Sequence, residues 1–121
     1  MNTVSEKLIP YRAFIASEQQ RLKDEIASLE NESRQDEADF LKIRLNILGV
    51  FETVASVDEK LSTDWADFCA RYEPRFDTLT APWRSRLASA VRNSDSYTRR
   101  IEEFKLTTAA RLRAEFDLFK G

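Results

Sequence analysis

The amino-acid sequence predicts an all-α fold, either a four-helix up-down bundle or an extended helical hairpin that a second copy completes. The 121 residues include only two glycines and three prolines, whereas a sandwich or barrel needs a turn signal about every 8–12 residues. Apolar residues instead recur every three or four positions over long stretches, which is the period of a helix. Because the sequence contains no repeat and no long linker, residues 1–121 are predicted to form a single domain.

The first predicted helix covers residues 4–32. Ser5 is a candidate N-cap, and Pro10 is tolerated if the regular helix begins close to it. The apolar side chains lie on one face and the other positions are mostly polar, so this helix is expected to pack through a single face. The apolar positions are Tyr11, Phe14, Ile15, Leu22, Ile26 and Leu29.

The second predicted helix, residues 34–61, has the most regular pattern in the sequence and is expected to be central. Ser33 is its candidate N-cap. Apolar residues alternate at spacings of three and four to form a seam, which consists of Phe40, Ile43, Ile47, Val50, Val54, Val57 and Leu61. A second apolar stripe, about 100° away, consists of Leu41, Leu45, Leu48 and Ala55. A helix with two apolar faces is expected to be buried on two sides.

The remaining residues predict a third helical segment over 62–93 and a last helix over about 95–119. Pro74 removes a backbone hydrogen bond and disfavours helical backbone at the residue before it, so a kink or short break is expected there. Thr80 and Pro82 mark a fresh helix start. A polar cluster at 93–96 separates the last helix. Short connections between successive helices favour antiparallel neighbours.

The absence of histidine restricts the chemistry that the chain can perform. Without histidine, imidazole cannot serve as a general base or as a metal ligand. Cys69 is the one cysteine, so no internal disulfide forms, which fits a reducing cytosol. It lies on an apolar face and is interpreted as a small buried side chain. The sequence also lacks a glycine-rich phosphate loop, and we predict no enzymatic activity, cofactor or metal.

Two pairs of acidic residues provide the one enzymatic alternative. Asp36 and Asp39, and likewise Asp64 and Asp67, are one helical turn apart. Magnesium accepts carboxylate ligands, and the spacing is similar to that of all-helical nucleotide pyrophosphohydrolases, although those mostly use glutamate. Both pairs also fall in first helical turns, where aspartate favours capping and the helix dipole. Capping is the simpler interpretation.

An excess of arginine in the second half of the chain indicates a second possible function. Residues 71–113 contain 10 basic and 5 acidic residues, although the whole chain carries a net charge of −2. Arginine next to aromatic residues suits stacking and phosphate contacts, so this region predicts contacts with nucleic acid or an acidic partner. The candidate residues are Arg84, Arg86, Arg92, Arg99 and Arg100.

The preferred hypothesis is a non-enzymatic protein-interaction module: an adaptor, regulator, chaperone-like binder or inhibitor. The distinctive residues lie on helix faces and not in a chemically specific cluster. The apolar seam over 40–61 predicts self-association, most simply as a homodimer, or binding to another protein. No apolar run is long enough to cross a bilayer and the first residues lack a signal-peptide pattern, so a cytoplasmic protein without membrane contact is expected.

Overall fold

The computed structural model describes residues 3–120, and the regular secondary structure in that range is entirely helical. The prediction of an all-α chain is therefore confirmed. The helices are α1 (Thr3–Asn31), α2 (Gln35–Leu61), α3 (Trp65–Tyr72), α4 (Arg75–Thr78), α5 (Ala81–Arg92) and α6 (Ser96–Lys120). The central helix predicted over 34–61 agrees with α2 to within one residue.

The three long helices form the frame of the molecule, because α1, α2 and α6 each pack against the other two. Helix α3 lies against α1 and α2, and α4 connects α3 to α6. Helix α5 packs along α6. The predicted third segment is thus three shorter helices, with breaks where Pro74 and Pro82 indicated them.

Aromatic side chains from α1, α3 and α6 meet at the centre of the core. Tyr11, Phe68 and Tyr72 are fully buried, and Phe116 is 1% exposed. The Phe116 ring lies 5.1 Å from each tyrosine ring in an edge-to-face arrangement. The two tyrosine hydroxyls form a hydrogen bond of 2.6 Å. This pairing gives each hydroxyl oxygen a partner in a place where an unpaired polar group is costly.

The bounds of α1 agree with the prediction to within one residue, but the roles of Ser5 and Pro10 differ from it. The helix begins at Thr3 and continues through Pro10, so the proline lies inside it and not at the start of its regular part. Pro10 is exposed, which leaves the carbonyl that its missing N–H would have bonded on the solvent side. Ser5 is not the cap; it lies within the helix and donates a hydrogen bond to Glu59 of α2 at 2.5 Å.

The turn between α1 and α2 corrects the assignment of Ser33 as an N-cap. Ser33 adopts a left-handed backbone conformation with φ of 61° and ends α1 instead of starting α2. Its N–H donates to the Glu30 carbonyl, and the N–H of Arg34 donates to the Leu29 carbonyl at 2.9 Å. These two bonds define a Schellman motif, a common way for a helix to end.

A buried ion pair holds the break at Pro74 in place. Asp58 on α2 is 1% exposed, and its two carboxylate oxygens accept hydrogen bonds from Arg75 at 2.8 and 3.2 Å. Two parallel bonds of this kind orient both partners. Arg75 is the first residue of α4, so the ion pair anchors α4 against the C-terminal half of α2.

Candidate functional site

The two apolar stripes of α2 lie in different environments. The second stripe, with Phe51, faces the core: Leu48 is 4% exposed, and Phe51 and Ala55 are fully buried. Leu41 and Leu45 are half-buried and pack against the same core. This is the face that α1, α3 and α6 cover.

The first stripe, predicted as the seam, is only partly covered. Ile47 is buried, Ile43, Val50 and Val54 are half-buried, and Val57 and Leu61 are 46% and 55% exposed. We refer to these six residues as the α2 stripe. Phe40, the seventh seam residue, packs edge-to-face on Phe104 of α6, so its ring already has a partner within the chain. The expectation that both faces would be buried is therefore wrong for the C-terminal half of this stripe.

Polar contacts with α1 lie on the side of α2 opposite the α2 stripe. The Arg12 guanidinium donates to Ser56 at 2.8 Å and lies 3.0 Å from a carboxylate oxygen of Glu59. It also lies 3.8 Å from Glu52. These three α2 residues share one side of the helix, and they fix that side against α1. The α2 stripe lies on the far side from this network.

The five predicted arginines lie on α5 and α6 and have different partners. Arg86 turns toward α6 and donates to Glu102 at 2.7 Å, and Glu102 is only 2% exposed. Arg84 donates to Thr80 and to the Asp77 carbonyl. These two side chains therefore stabilise helix contacts within the chain.

The other three predicted arginines are exposed and point to different neighbours. Arg99 lies 3.5 Å from Glu103. The Arg100 guanidinium lies 4.8 Å from the centre of the Phe40 ring. Arg92 is exposed at the end of α5. Each of these side chains thus has its own surroundings, and their contact with nucleic acid or an acidic partner stays a prediction.

The two aspartate pairs lie at opposite ends of the same helix. Asp36 and Asp39 are in the first turns of α2, whereas Asp64 and Asp67 follow its end. A helix of this length separates the pairs by about 40 Å. Asp64 caps α3 by accepting a hydrogen bond from the N–H of Asp67 at 2.8 Å. Among the described residues, no three acidic or cysteine side chains form a group suited to a metal ion.

Cys69 is half-buried and free. Burial raises the pKa of its thiol, and Glu73 contributes in the same direction. The side chain packs against the aromatic core, as expected for a small apolar residue.

A small cavity between α1, α2 and α6 was not predicted from the sequence. Its floor is apolar, and Glu18, Arg44 and Arg111 lie at its mouth. The one sequence signal was Arg44, a charged residue between Ile43 and Leu45 on an otherwise apolar part of α2. Arg44 lines the cavity together with side chains of α1, α2 and α6, and only the fold brings these three helices together.

Comparisons with known proteins identified no relative: no family model, curated protein or solved structure matches this chain. Over residues 3–120, no helix has both the length and the apolar character that crossing a membrane requires.

Proposed function

We propose that this chain is a non-enzymatic interaction protein that self-associates by pairing the α2 stripes of two copies in antiparallel orientation. The observation that carries the proposal is the exposure of Val57 and Leu61 at the end of an otherwise regular apolar stripe. Contiguous exposed apolar side chains on one helix face are typical of interaction surfaces. The cytoplasmic location and the up-down order of the helices are part of the same proposal.

The spacing of the α2 stripe supports a second copy as the occupant. From Ile43 to Leu61 the steps between its members are four, three, four, three and four residues. This series reads the same in both directions, so two antiparallel copies related by a two-fold axis place apolar positions opposite apolar positions along the stripe, of which Ile47 is already buried within its own chain. A two-fold interface requires such self-complementarity.

The residues beside the middle of the stripe also suit a symmetric pair. Asn46 and Thr53 flank the stripe on its solvent side, and both are exposed and uncharged. Around a two-fold axis each side chain approaches its own copy, so a charged residue at the centre would repel itself. The axis falls between Val50 and Val54, so Thr53 lies next to its own copy without such repulsion, whereas the two copies of Asn46 are about 18 Å apart along the pair.

The first test is a pair of matched lysine substitutions. Val57 on the stripe and Val91 on α5 are 46% and 54% exposed, and each lies close to the C-terminal end of its helix, where lysine is tolerated. We expect wild type and Val91→Lys to have twice the mass of a single chain in light scattering at micromolar concentration. Val57→Lys is expected to have the mass of one chain.

Circular dichroism controls for folding in this comparison, because both variants need to retain the helical content of wild type. Wild type that is monomeric throughout the micromolar range contradicts the proposal. A Val57→Lys protein that folds and still dimerises places the interface elsewhere.

The second test distinguishes antiparallel from parallel pairing with a disulfide, in a Cys69→Ser background. Thr53 lies next to the proposed axis, so Thr53→Cys is expected to form an intermolecular disulfide under mild oxidation. Lys60→Cys is the exposed control: the two copies of position 60 are about 24 Å apart along an antiparallel pair. Efficient cross-linking at position 60 with none at position 53 would exclude the antiparallel arrangement.

A further inference from the structure

The cavity between α1, α2 and α6 has an apolar floor close to the surface. Its volume is about 30 Å³, which is room for about two or three water-sized groups. Phe14, Leu22, Leu48 and Leu112 form the floor. Leu22 and Leu112 are at most 1% exposed and Leu48 is 4% exposed. An apolar space of this kind favours hydrocarbon over water.

The mouth of the cavity carries an excess of positive charge. Glu18 lies between two arginines, 2.7 Å from Arg111 through one oxygen and 2.7 Å from Arg21 through the other. Arg21 also contacts Glu25 at 3.1 Å. The carboxylates of Glu18 and Glu25 thus pair with Arg21 and Arg111, and each oxygen of Glu18 contacts one of these two arginines.

Arg44 is the cation at this mouth that lacks a counter-ion. Its Nε donates to the neutral hydroxyl of Thr108 at 3.3 Å, and its guanidinium lies 4.4 Å from the centre of the Phe104 ring. Among the described residues, no carboxylate lies within 4.0 Å of it. Partial burial lowers the pKa of Arg44, and repulsion from Arg111 and Arg21 lowers it further, against a smaller opposing attraction from Glu18 and Glu25. The guanidinium stays charged in proteins, so an anion placed beside it relieves this repulsion.

We propose that this cavity binds a short aliphatic carboxylate. The carboxylate accepts hydrogen bonds from Arg44, which guanidinium geometry favours, and the hydrocarbon end occupies the floor formed by Leu22, Leu48 and Leu112. The cavity volume limits the enclosed part of the tail to about three carbon groups. In 3-methylbutanoate these are the two methyl groups and the branching carbon, and the methylene next to the carboxylate lies at the mouth. The site lies on the side of α2 that faces α1 and α6, apart from the α2 stripe, so it does not depend on dimer formation.

The test uses the full chain and three small probes in methyl NMR spectra. We expect 3-methylbutanoate to cause saturable shifts of the Leu22, Leu48 and Leu112 methyl signals. Acetate has the charge without the tail, and 3-methylbutylamine has the tail with the opposite charge. Both are expected to bind at least about tenfold more weakly, the fold-change that corresponds to 1.4 kcal/mol.

Matched arginine substitutions test the assigned partner. Arg44→Gln is expected to weaken 3-methylbutanoate binding at least about tenfold, whereas Arg44→Lys retains part of the binding because it keeps the charge without the planar fork. Arg92→Gln, an exposed arginine at the end of α5, is the control and is expected to bind as wild type does. Arg111→Gln, at a side chain 57% exposed, provides a second variant at the mouth if Arg44→Gln does not fold.

Three results would overturn the proposal. One is the absence of saturable shifts with 3-methylbutanoate in the wild-type protein. Another is equal binding of acetate, which indicates an adventitious ion only. The third is equal binding of 3-methylbutylamine, or of 3-methylbutanoate by a folded Arg44→Gln variant, because either removes the role of the guanidinium.

Discussion

At the residue scale, the hydroxyls of Tyr11 and Tyr72 show how the core accommodates polar groups. Both tyrosines are fully buried, and each hydroxyl has the other as its partner. Burial is the main cause that raises the pKa of each phenol above its ordinary value. The pair joins α1 to α3, which are distant in the sequence, and it specifies their register.

A double-mutant cycle tests this pair. Tyr11→Phe and Tyr72→Phe each leave one buried hydroxyl without its partner, so each is expected to lower the free energy of unfolding by about 1–3 kcal/mol. The double variant removes both hydroxyls and is expected to regain most of that loss. Urea unfolding followed by circular dichroism provides the measurement. Strictly additive losses would show that the two hydroxyls do not depend on each other.

At the element scale, two helices end on serines in the left-handed region. Ser33 ends α1 with φ of 61°, and Ser94 ends α5 with φ of 54°. The N–H of Asp95 donates to the Ala90 carbonyl at 2.9 Å and that of Ser94 to the Val91 carbonyl, the same Schellman pattern as at Ser33. Glycine is the usual residue at such positions; this sequence has only two and uses serine instead.

Substitutions of Ser94 measure how much a serine in the left-handed conformation lowers the free energy of unfolding. Ser94→Gly is expected to raise the free energy of unfolding by about 0.5–1 kcal/mol, because glycine adopts the left-handed conformation without strain. Ser94→Val is expected to destabilise the protein, because a β-branched side chain disfavours positive φ. Thermal melting of wild type and the two variants gives their order of stability. A Ser94→Gly variant less stable than wild type would mean that the serine side chain contributes more than the strain it causes.

The next residue, Asp95, caps α6 and makes its start dependent on pH. Its carboxylate accepts hydrogen bonds from the Thr98 hydroxyl at 2.7 Å and the Thr98 N–H at 3.1 Å. These bonds lower the carboxyl pKa, so the charged form stabilises the folded state. That contribution is fully present above the unfolded-state pKa of about 3.9 and is lost as the pH falls through the lower folded-state value.

Asp95→Asn isolates this charge, because asparagine is also a good cap but does not titrate. Wild type is expected to have the higher melting temperature at neutral pH, and the difference is expected to disappear at pH values below the folded-state pKa. Melting curves of both proteins between neutral pH and strong acid measure it. A difference that is constant across this range would exclude the carboxylate charge as the cause.

At the scale of the whole molecule, one helix connects the core to the surface proposed for pairing. The inward face of α2 packs on α1, α3 and α6, while Val57 and Leu61 on its other face remain exposed. If the α2 stripe pairs two copies, folding and association are linked. Stability then depends on protein concentration by mass action.

Thermal melting at several concentrations tests this linkage. A dimer is expected to gain about 2–4 °C in melting temperature for each tenfold increase in concentration, since the equilibrium shifts by about 1.4 kcal/mol. Val57→Lys, if it is monomeric, is expected to melt at the same temperature at every concentration, with Val91→Lys behaving as wild type. A concentration-independent wild type would contradict the proposed dimer.

Part of this structure follows from the sequence because it depends on local chemistry. Apolar periodicity is a local signal, and it predicted α2 to within one residue. The break at Pro74 follows from the missing N–H of proline. In contrast, the sequence left open whether the regular helix begins near Pro10. Tertiary contacts of residues such as Val4 and Leu8, which are almost fully buried, sustain the helix through Pro10.

What only the tertiary structure decided is how the faces of each helix are used. The sequence indicated two apolar stripes on α2, but only packing against α1, α3 and α6 shows which one turns inward. The same holds for the charged residues. In the sequence Arg86 looks like any surface arginine, and only the fold places Glu102 beside it. Likewise, only the fold places Arg44 at a cavity formed by three helices. Periodicity defines which side chains share a face, whereas only packing between distant segments defines what that face meets.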